Sequence, residues 1–349
     1  MKIFADRHHD GLAHSLRLLA KRLNAEIYFP IGEEWFTEGY WHIARPYNDN
    51  PATIKQYLSL DQRYKPADGT PPLNTIKATN PLYYEVEDLA HGDTVKAITF
   101  EQFLAMDIDI IIASVPDHWG AYTALRNEHK PKAKVVCQLG NIFWENEALI
   151  QIGAVENLLA SVKPFPVPSS INAAFYHQEM PIVPYKPPRL ERKISSFVNC
   201  LPDAETFFEY KNVLSNFEMK AYGASCPDGW VNGIQSQYKA MQASDWGYHV
   251  KPNGDGFGHV WYSWFMIGRP IITRFRDYRD KLGGELFVNK ITGIDLDMHS
   301  QEENAQLIRD LTNPEVFPIL CEKARRRFFE VVDYDREQKE IENFFGRLR

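Results

Sequence analysis

Cysteine is scarce and scattered. Cys137, Cys200, Cys226 and Cys321 are the 4 cysteines, and they form no CxxC pair. The sequence therefore encodes neither a zinc framework nor a disulfide scaffold, and a reducing compartment suits it best. Long apolar runs are absent too. No stretch holds the roughly eighteen uncharged apolar residues that a membrane span requires, and the start, MKIFADRHHDG, has no apolar signal core. The expectation is a cytoplasmic protein. There is no excess of positive charge: Lys and Arg total 39 against 46 Asp and Glu, a net charge of −7. That balance argues against a chain-wide grip on nucleic acid or anionic membrane and leaves only local contacts. No residue-level repeat or low-complexity segment is found.

The chain does have aromatic residues, 13% of the total, and a length of 349 residues, enough for two cores of ordinary domain size. Lys2 to Ala5 reads as a strand, DRHHDG as a polar loop, and Leu12 to Leu23 as a helix with Leu16, Leu19 and Leu23 on one face. AEIYFP resumes as a strand. The aromatic loop from Trp35 to Tyr47 suits stacking on a sugar or base, or an ordinary interdomain contact. Between Asn48 and Asp93 only a short helix near Thr53 to Leu60 is expected. DIDIIIASVP and AKVVCQLGN are β-branched runs suited to strands buried on both faces of a parallel sheet, with a helix from Trp119 to Glu128 between them. LLASVKPFPVPSS and MPIVPYKPPRLERK are proline-dense, oppose regular structure and mark a domain boundary.

The alternation then restarts, with KISSFVNCL, FEMKAYG and WGYHVK as strands and ETFFEYKNVLS and NGIQSQYKAMQAS as helices, which predicts a second parallel sheet. Helices follow near Gln301 to Asp310, Pro314 to Val332 and Asp335 to Leu348. In the last, Ile341, Phe344, Phe345 and Leu348 form a stripe that must be buried.

Within the second pattern, KPNGDGFGHVWYSWFMIGRPII places a glycine loop at the carboxyl end of a predicted strand and directs it into an apolar helix. Ligands of open α/β sheets bind in that crevice. Gly254, Gly256 and Gly258 allow close backbone approach, and the helix starting near Gly258 turns amides toward the loop, a design suited to a phosphate. An unliganded β–α turn is the plain alternative.

The order of the whole stretch resembles the donor-binding segment of GT-B glycosyltransferases, whose retaining members read Glu-Gly-Phe-Gly-Leu-Val, an apolar helix with a second Glu, then Gly-x-Pro-Val-Ile. Asp255 stands at the first Glu, and Gly256, Phe257 and Gly258 match. Gly268, Pro270, Ile271 and Ile272 match the exit, and Ser263 replaces the second Glu. SVPDHWG is similar to the family segment Asp-Ile-Ile-His-x-His-Asp-Trp, with Ser114 and a two-residue shift as departures. KVVCQLGN is similar to a strand ending in His-Asn, with Gly140 where His is expected and Asn141 retained.

The resemblance implies an α/β fold of two Rossmann-like domains facing across a cleft. Residues 1–180 would form the acceptor domain, 190–332 the nucleotide-sugar domain, and 333–349 a helix crossing back to the first domain. It implies metal-independent transfer from a nucleotide-diphosphate sugar, a UDP-sugar above all, with no further cofactor. The acceptor would be a hydroxyl on a glycan, a glycolipid precursor or a hydroxymethylated DNA base, the last disfavoured by the net charge.

Donor binding falls to Gly11, Gly254, Asp255, Gly256, Phe257, Gly258, His259, Ser263 and Arg274, with His259 and Arg274 directed at phosphate. Asp255 also counts among the catalytic candidates. His9, then Asp10, are candidate bases for the acceptor hydroxyl, and His118 lies beside Asp117 at another strand end. A solvated loop at His9, a structural role for His259 and helix capping by Asp117 stay open. The cluster His8, His9, Asp10, His14 could instead hold a metal, but adjacent histidines rarely ligate one ion. A nucleotide-sugar epimerase of the same fold and a non-catalytic nucleotide- or sugar-binding protein are the rival functions.

Overall fold

The computed structural model describes residues 1–6, 10–30, 74–79, 81–88, 93–114, 116–140, 150–151, 153–200, 205–231, 233–252 and 254–348. The chain forms two compact units, Met1–Met180 with Tyr334–Arg349, and Pro181–Asp333.

The first unit is built on strands β1 (Lys2–Ala5), β2 (Glu26–Pro30), β3 (Asn74–Thr79), β4 (Tyr84–Asp88), β5 (Asp93–Ile98), β6 (Ile110–Ala113), β7 (Lys134–Leu139), β8 (Asn157–Ala160) and β9 (Asn172–Phe175). Their spatial order is β3-β4-β5-β2-β1-β6-β7-β8-β9. From β5 to β9 every pairing is parallel, while β3–β4 and β4–β5 are antiparallel. Strand order reverses direction between β1 and β6, so the loops leaving those strands flank a topological switch point. β6 is buried along its length, which explains its unbroken apolar sequence. Ile110 and Ile112 enter one core with Ile3 and Ala5, whereas Ile111 and Ala113 enter the opposite one with Phe4.

Two parts of this sheet depart from the sequence reading. Residues 74–98 hold an antiparallel β3–β4–β5 meander where only a short helix was expected. NTIKAT and YEVED mix polar and apolar residues and carry no continuous apolar signal. The expected helix at 53–60 lies outside the described residues. β8 overlaps the start of the first proline-dense stretch, and β9 follows that stretch directly. The prolines Pro164, Pro166 and Pro168 fall between the two strands, where no ladder amide is needed.

The terminal helix Tyr334–Gly346 belongs to the first unit. Ile341 and Phe344 are buried with Leu12, Leu16 and Leu19 of the helix Asp10–Arg22. The Asn172 side chain donates to the Phe344 carbonyl at 3.0 Å. Arg22 donates to both oxygens of Glu179 at 2.7 and 3.0 Å and to Asp335 at 3.0 Å, while the Glu337 carboxylate accepts from the backbone amide of His177 at 2.8 Å.

The second unit is a five-stranded parallel sheet of β10 (Lys193–Cys200), β11 (Glu218–Ala224), β12 (Trp246–Tyr248), β13 (Ile271–Thr273) and β14 (Gly293–Asp295), ordered β11-β10-β12-β13-β14. Its switch point falls between β10 and β12. No helix among the described residues is long and apolar enough to cross a membrane.

Candidate functional site

β12 ends at Tyr248, and the chain runs through His249 and the glycine loop into the helix His259–Met266. The loop therefore leaves the carboxyl end of a strand at the switch point, where open α/β sheets bind ligands. Trp261, Tyr262, Trp264, Phe265 and Met266 of the helix are all buried, which accounts for its nearly uniform apolar sequence.

The loop geometry depends on two glycines. Gly254 has φ +66°, and its amide donates to the Lys251 carbonyl at 2.9 Å. A Cβ there would lie 2.2 Å from the Asp277 carbonyl oxygen, so the loop closes onto the segment after β13 only without a side chain. Gly258 is the residue before the helix and offers no side-chain cap. The helix therefore starts without a side-chain cap, and the positive end of its dipole faces the loop.

Asp255 sits at the centre of a polar cluster. His249 Nε2 donates to Oδ2 at 2.9 Å, Lys251 Nζ to Oδ1 at 2.5 Å, and the Tyr278 hydroxyl to Oδ2 at 3.4 Å. The Asp255 side chain is 13% exposed. Burial by itself would push this carboxyl up, but the hydrogen bond and charge of His249, together with Lys251, outweigh it and hold the group well below the ordinary carboxylate range. Burial and the Asp255 charge push the Tyr278 phenol well above its usual value, so it stays a donor.

Because the folded-state pKa of Asp255 is depressed, its stabilisation is fully present above the ordinary value of 3.8 and is lost as the pH falls below it. Asp255→Asn is thus expected to be less stable than wild type at neutral pH, with the gap beginning to narrow only as the pH falls below 3.8. Urea unfolding on either side of that value checks this, and a gap that stays constant would contradict it.

The donor candidates other than Gly11 belong to the second unit. Phe257 is buried and stacks on Tyr262 with ring centroids 4.3 Å apart. His259 is half-buried in the first helical turn, edge-on to Phe257 at 5.1 Å. Gly256 is buried within the loop. Arg274 follows β13 directly, with its Nε 3.9 Å from Asp297, and Arg276 Nε lies 3.3 Å from the same carboxylate. Ser263 is 2% exposed, and its hydroxyl donates to the His259 carbonyl one turn back.

In the first unit, Asp6 directly follows β1 and Ser114 directly follows β6. The Ser114 amide donates to the Asp6 carboxylate at 2.9 Å, and the Ser114 hydroxyl to the Asp6 carbonyl at 3.2 Å. This ties together the two loops at that switch point. His9 and Asn141 lie outside the described residues, as does the aromatic loop Trp35 to Tyr47. Asp10 opens the helix Asp10–Arg22, with Gly11 half-buried in its first turn, and His118 belongs to the helix Pro116–His129; the side chains of Asp10 and His118 are also outside the described set. His14 is buried, and its Nδ1 accepts from Arg17 at 3.0 Å. Gly140 is buried just past β7.

The sequence reading did not single out His249, Lys251 or Tyr278. His249 was absorbed into the strand WGYHVK, although a polar residue ending a buried strand, six positions before a loop aspartate, is a visible signal.

Two parallel-sheet α/β units with a terminal helix returning to the first define a GT-B fold, the fold implied by the DGFGHV and GRPII resemblance. Solved glycosyltransferase structures share it over essentially the full chain. A TarM variant from S. aureus, in complex with fondaparinux, alpha-GlcNAc-glycerol and UDP, is 12% identical with a TM-score of 0.60 over 99% of each chain. HepE from Anabaena in complex with UDP-glucose is 11% identical with a TM-score of 0.59 over 100% of each. No family model and no curated protein matches the sequence.

Proposed function

We propose that this protein is a glycosyltransferase that uses a nucleotide-diphosphate sugar, a UDP-sugar first, and transfers the sugar to a hydroxyl acceptor without a metal ion. The observation that carries the reading is the glycine loop at the β12 switch point: the helix His259–Met266 starts there without a side-chain cap, Lys251 pairs with Asp255 within the loop, and Arg274 and Arg276 follow the neighbouring strand. In the reaction the acceptor oxygen bonds to the anomeric carbon while the bond from that carbon to the diphosphate oxygen breaks. The electron pair leaves on the diphosphate, and the hydroxyl proton passes to a base, His9 being the first candidate. Amides and cations preorganised at the leaving phosphate stabilise charge that grows as the bond breaks, which lowers the barrier without a metal. The structures of TarM with UDP and of HepE with UDP-glucose support a uridine nucleotide as the first one to try.

Isothermal titration with UDP, GDP and dTDP, followed by assay of nucleotide release from the matching sugars with and without acceptor glycans, tests the proposal. Binding of one diphosphate and acceptor-dependent release is expected. Binding without release would favour a non-catalytic binder, and an isomerised donor would favour an epimerase. No binding of any diphosphate would remove the donor-site reading.

A further inference from the structure

Building on the reading of the loop as the donor site, we propose that His249 is a positioning residue for the nucleotide diphosphate. Its imidazole holds Asp255 beneath the helix start, so that Asp255 serves as an internal strut of the loop rather than as a ligand of the donor sugar.

His249 is rigidly placed. Its amide donates to the Ile272 carbonyl at 2.9 Å, and its carbonyl accepts from the Thr273 hydroxyl at 2.6 Å, so the residue extends β12 firmly alongside β13. The ring lies 5.9 Å from Trp261 and 5.6 Å from Tyr278, which stack on each other at 3.9 Å. These contacts leave the imidazole little rotational freedom, and its Nε2 is aimed at Asp255.

Both Asp255 oxygens are engaged within the loop, Oδ1 by Lys251 and Oδ2 by His249 and Tyr278. Aspartate is one methylene shorter than the glutamate of the resembled segment, so its carboxylate stays beneath the backbone. Gly258 rests directly on it: a Cβ at Gly258 would lie 2.9 Å from Asp255 Oδ2. A continuous path therefore runs from β13 through His249 and the Asp255 carboxylate to the residue that sets the amides of the helix start. Without the imidazole, a buried carboxylate loses its best donor and turns toward water. The amides of Gly256 to His259 then lose their fixed placement, and ligand binding must supply the ordering.

The test measures UDP and UDP-glucose affinity by calorimetry, with thermal unfolding in parallel, for the full chain and for His249→Leu, His249→Gln and Asp255→Asn. His249→Leu and Asp255→Asn are expected to weaken both probes equally, by about tenfold or more. His249→Gln, whose amide nitrogen reaches the Nε2 position, should stay within about threefold of wild type. Two results would overturn the inference while leaving the donor site intact. One is an Asp255→Asn variant that loses UDP-glucose but keeps UDP, which would put the carboxylate on the sugar. The other is a His249→Leu variant with a lower melting temperature but wild-type affinities, which would make the histidine merely structural. Wild-type protein that binds neither probe would sink the donor-site reading and this inference together. Should His249→Leu fail to fold, His249→Gln at wild-type affinity with equal losses in Asp255→Asn supports the inference, and any other pattern in those two variants overturns it.

Discussion

Arg269→Leu is expected to lower the unfolding free energy of the second unit by about 3–5 kcal/mol. Arg269 is wholly buried and donates to five backbone carbonyls. Nε reaches Ser244 at 2.8 Å; Nη1 reaches Lys186 at 3.0 Å and Gly268 at 3.1 Å; Nη2 reaches Gln242 at 2.9 Å and Pro187 at 3.5 Å. Gln242 ends the helix Ile234–Gln242, where a cation meets the negative end of the helix dipole. Lys186 and Pro187 belong to a proline-dense segment that lacks amides to build a ladder of its own, so its carbonyls need an outside donor. Leucine fills part of the volume and satisfies none of them. Arg269→Lys should recover only a part, because an ammonium cannot span carbonyls on both sides of a planar fork. Urea unfolding decides it: a leucine variant within about 1 kcal/mol of wild type would show that these carbonyls find other partners.

The second large effect is expected at Gly258. Its φ of −87° is open to any residue, so the argument is steric. A Cβ would sit 2.9 Å from Asp255 Oδ2, 3.0 Å from Asp255 Cβ and 3.2 Å from Trp261 Cβ. The carboxylate is held by His249 and cannot yield easily, and Trp261 is locked by stacking and by its indole donating to the Gly283 carbonyl at 3.0 Å. Valine must therefore displace the helix start itself. If the amides there bind diphosphate, Gly258→Val should weaken UDP binding by about a hundredfold or more, some 3 kcal/mol. The UDP-induced rise in melting temperature should vanish with it. A variant that is still stabilised by UDP to the wild-type extent would move the nucleotide away from this loop.

Much of the fold was legible in local pattern. The apolar run at Ile110–Ala113 announced a doubly covered parallel strand, and the Ile341 and Phe344 stripe announced a helix seeking a core. The β3–β4 pair was not legible, because NTIKAT and YEVED are mixed in composition and have no periodicity strong enough to separate them from a loop. The glycine loop was found from its order of residues. Its internal hydrogen bonds were not: His249 read as one more strand residue, and nothing in the spacing tied it to Asp255. Arg269 stood in the motif only as the variable position of Gly-x-Pro.

The sequence by itself determined where the strongly apolar strands, the amphipathic helices and the glycine turn would form, because periodicity and glycine placement act on neighbouring residues. Only the tertiary structure decided that Asp255 answers to His249 and Tyr278, that Ser263 bonds its own helix, and that Arg269 gathers carbonyls from the segment near Pro187. Hydrogen bonds of about 3 Å depend on how separate segments are packed, and no spacing along the chain records that approach.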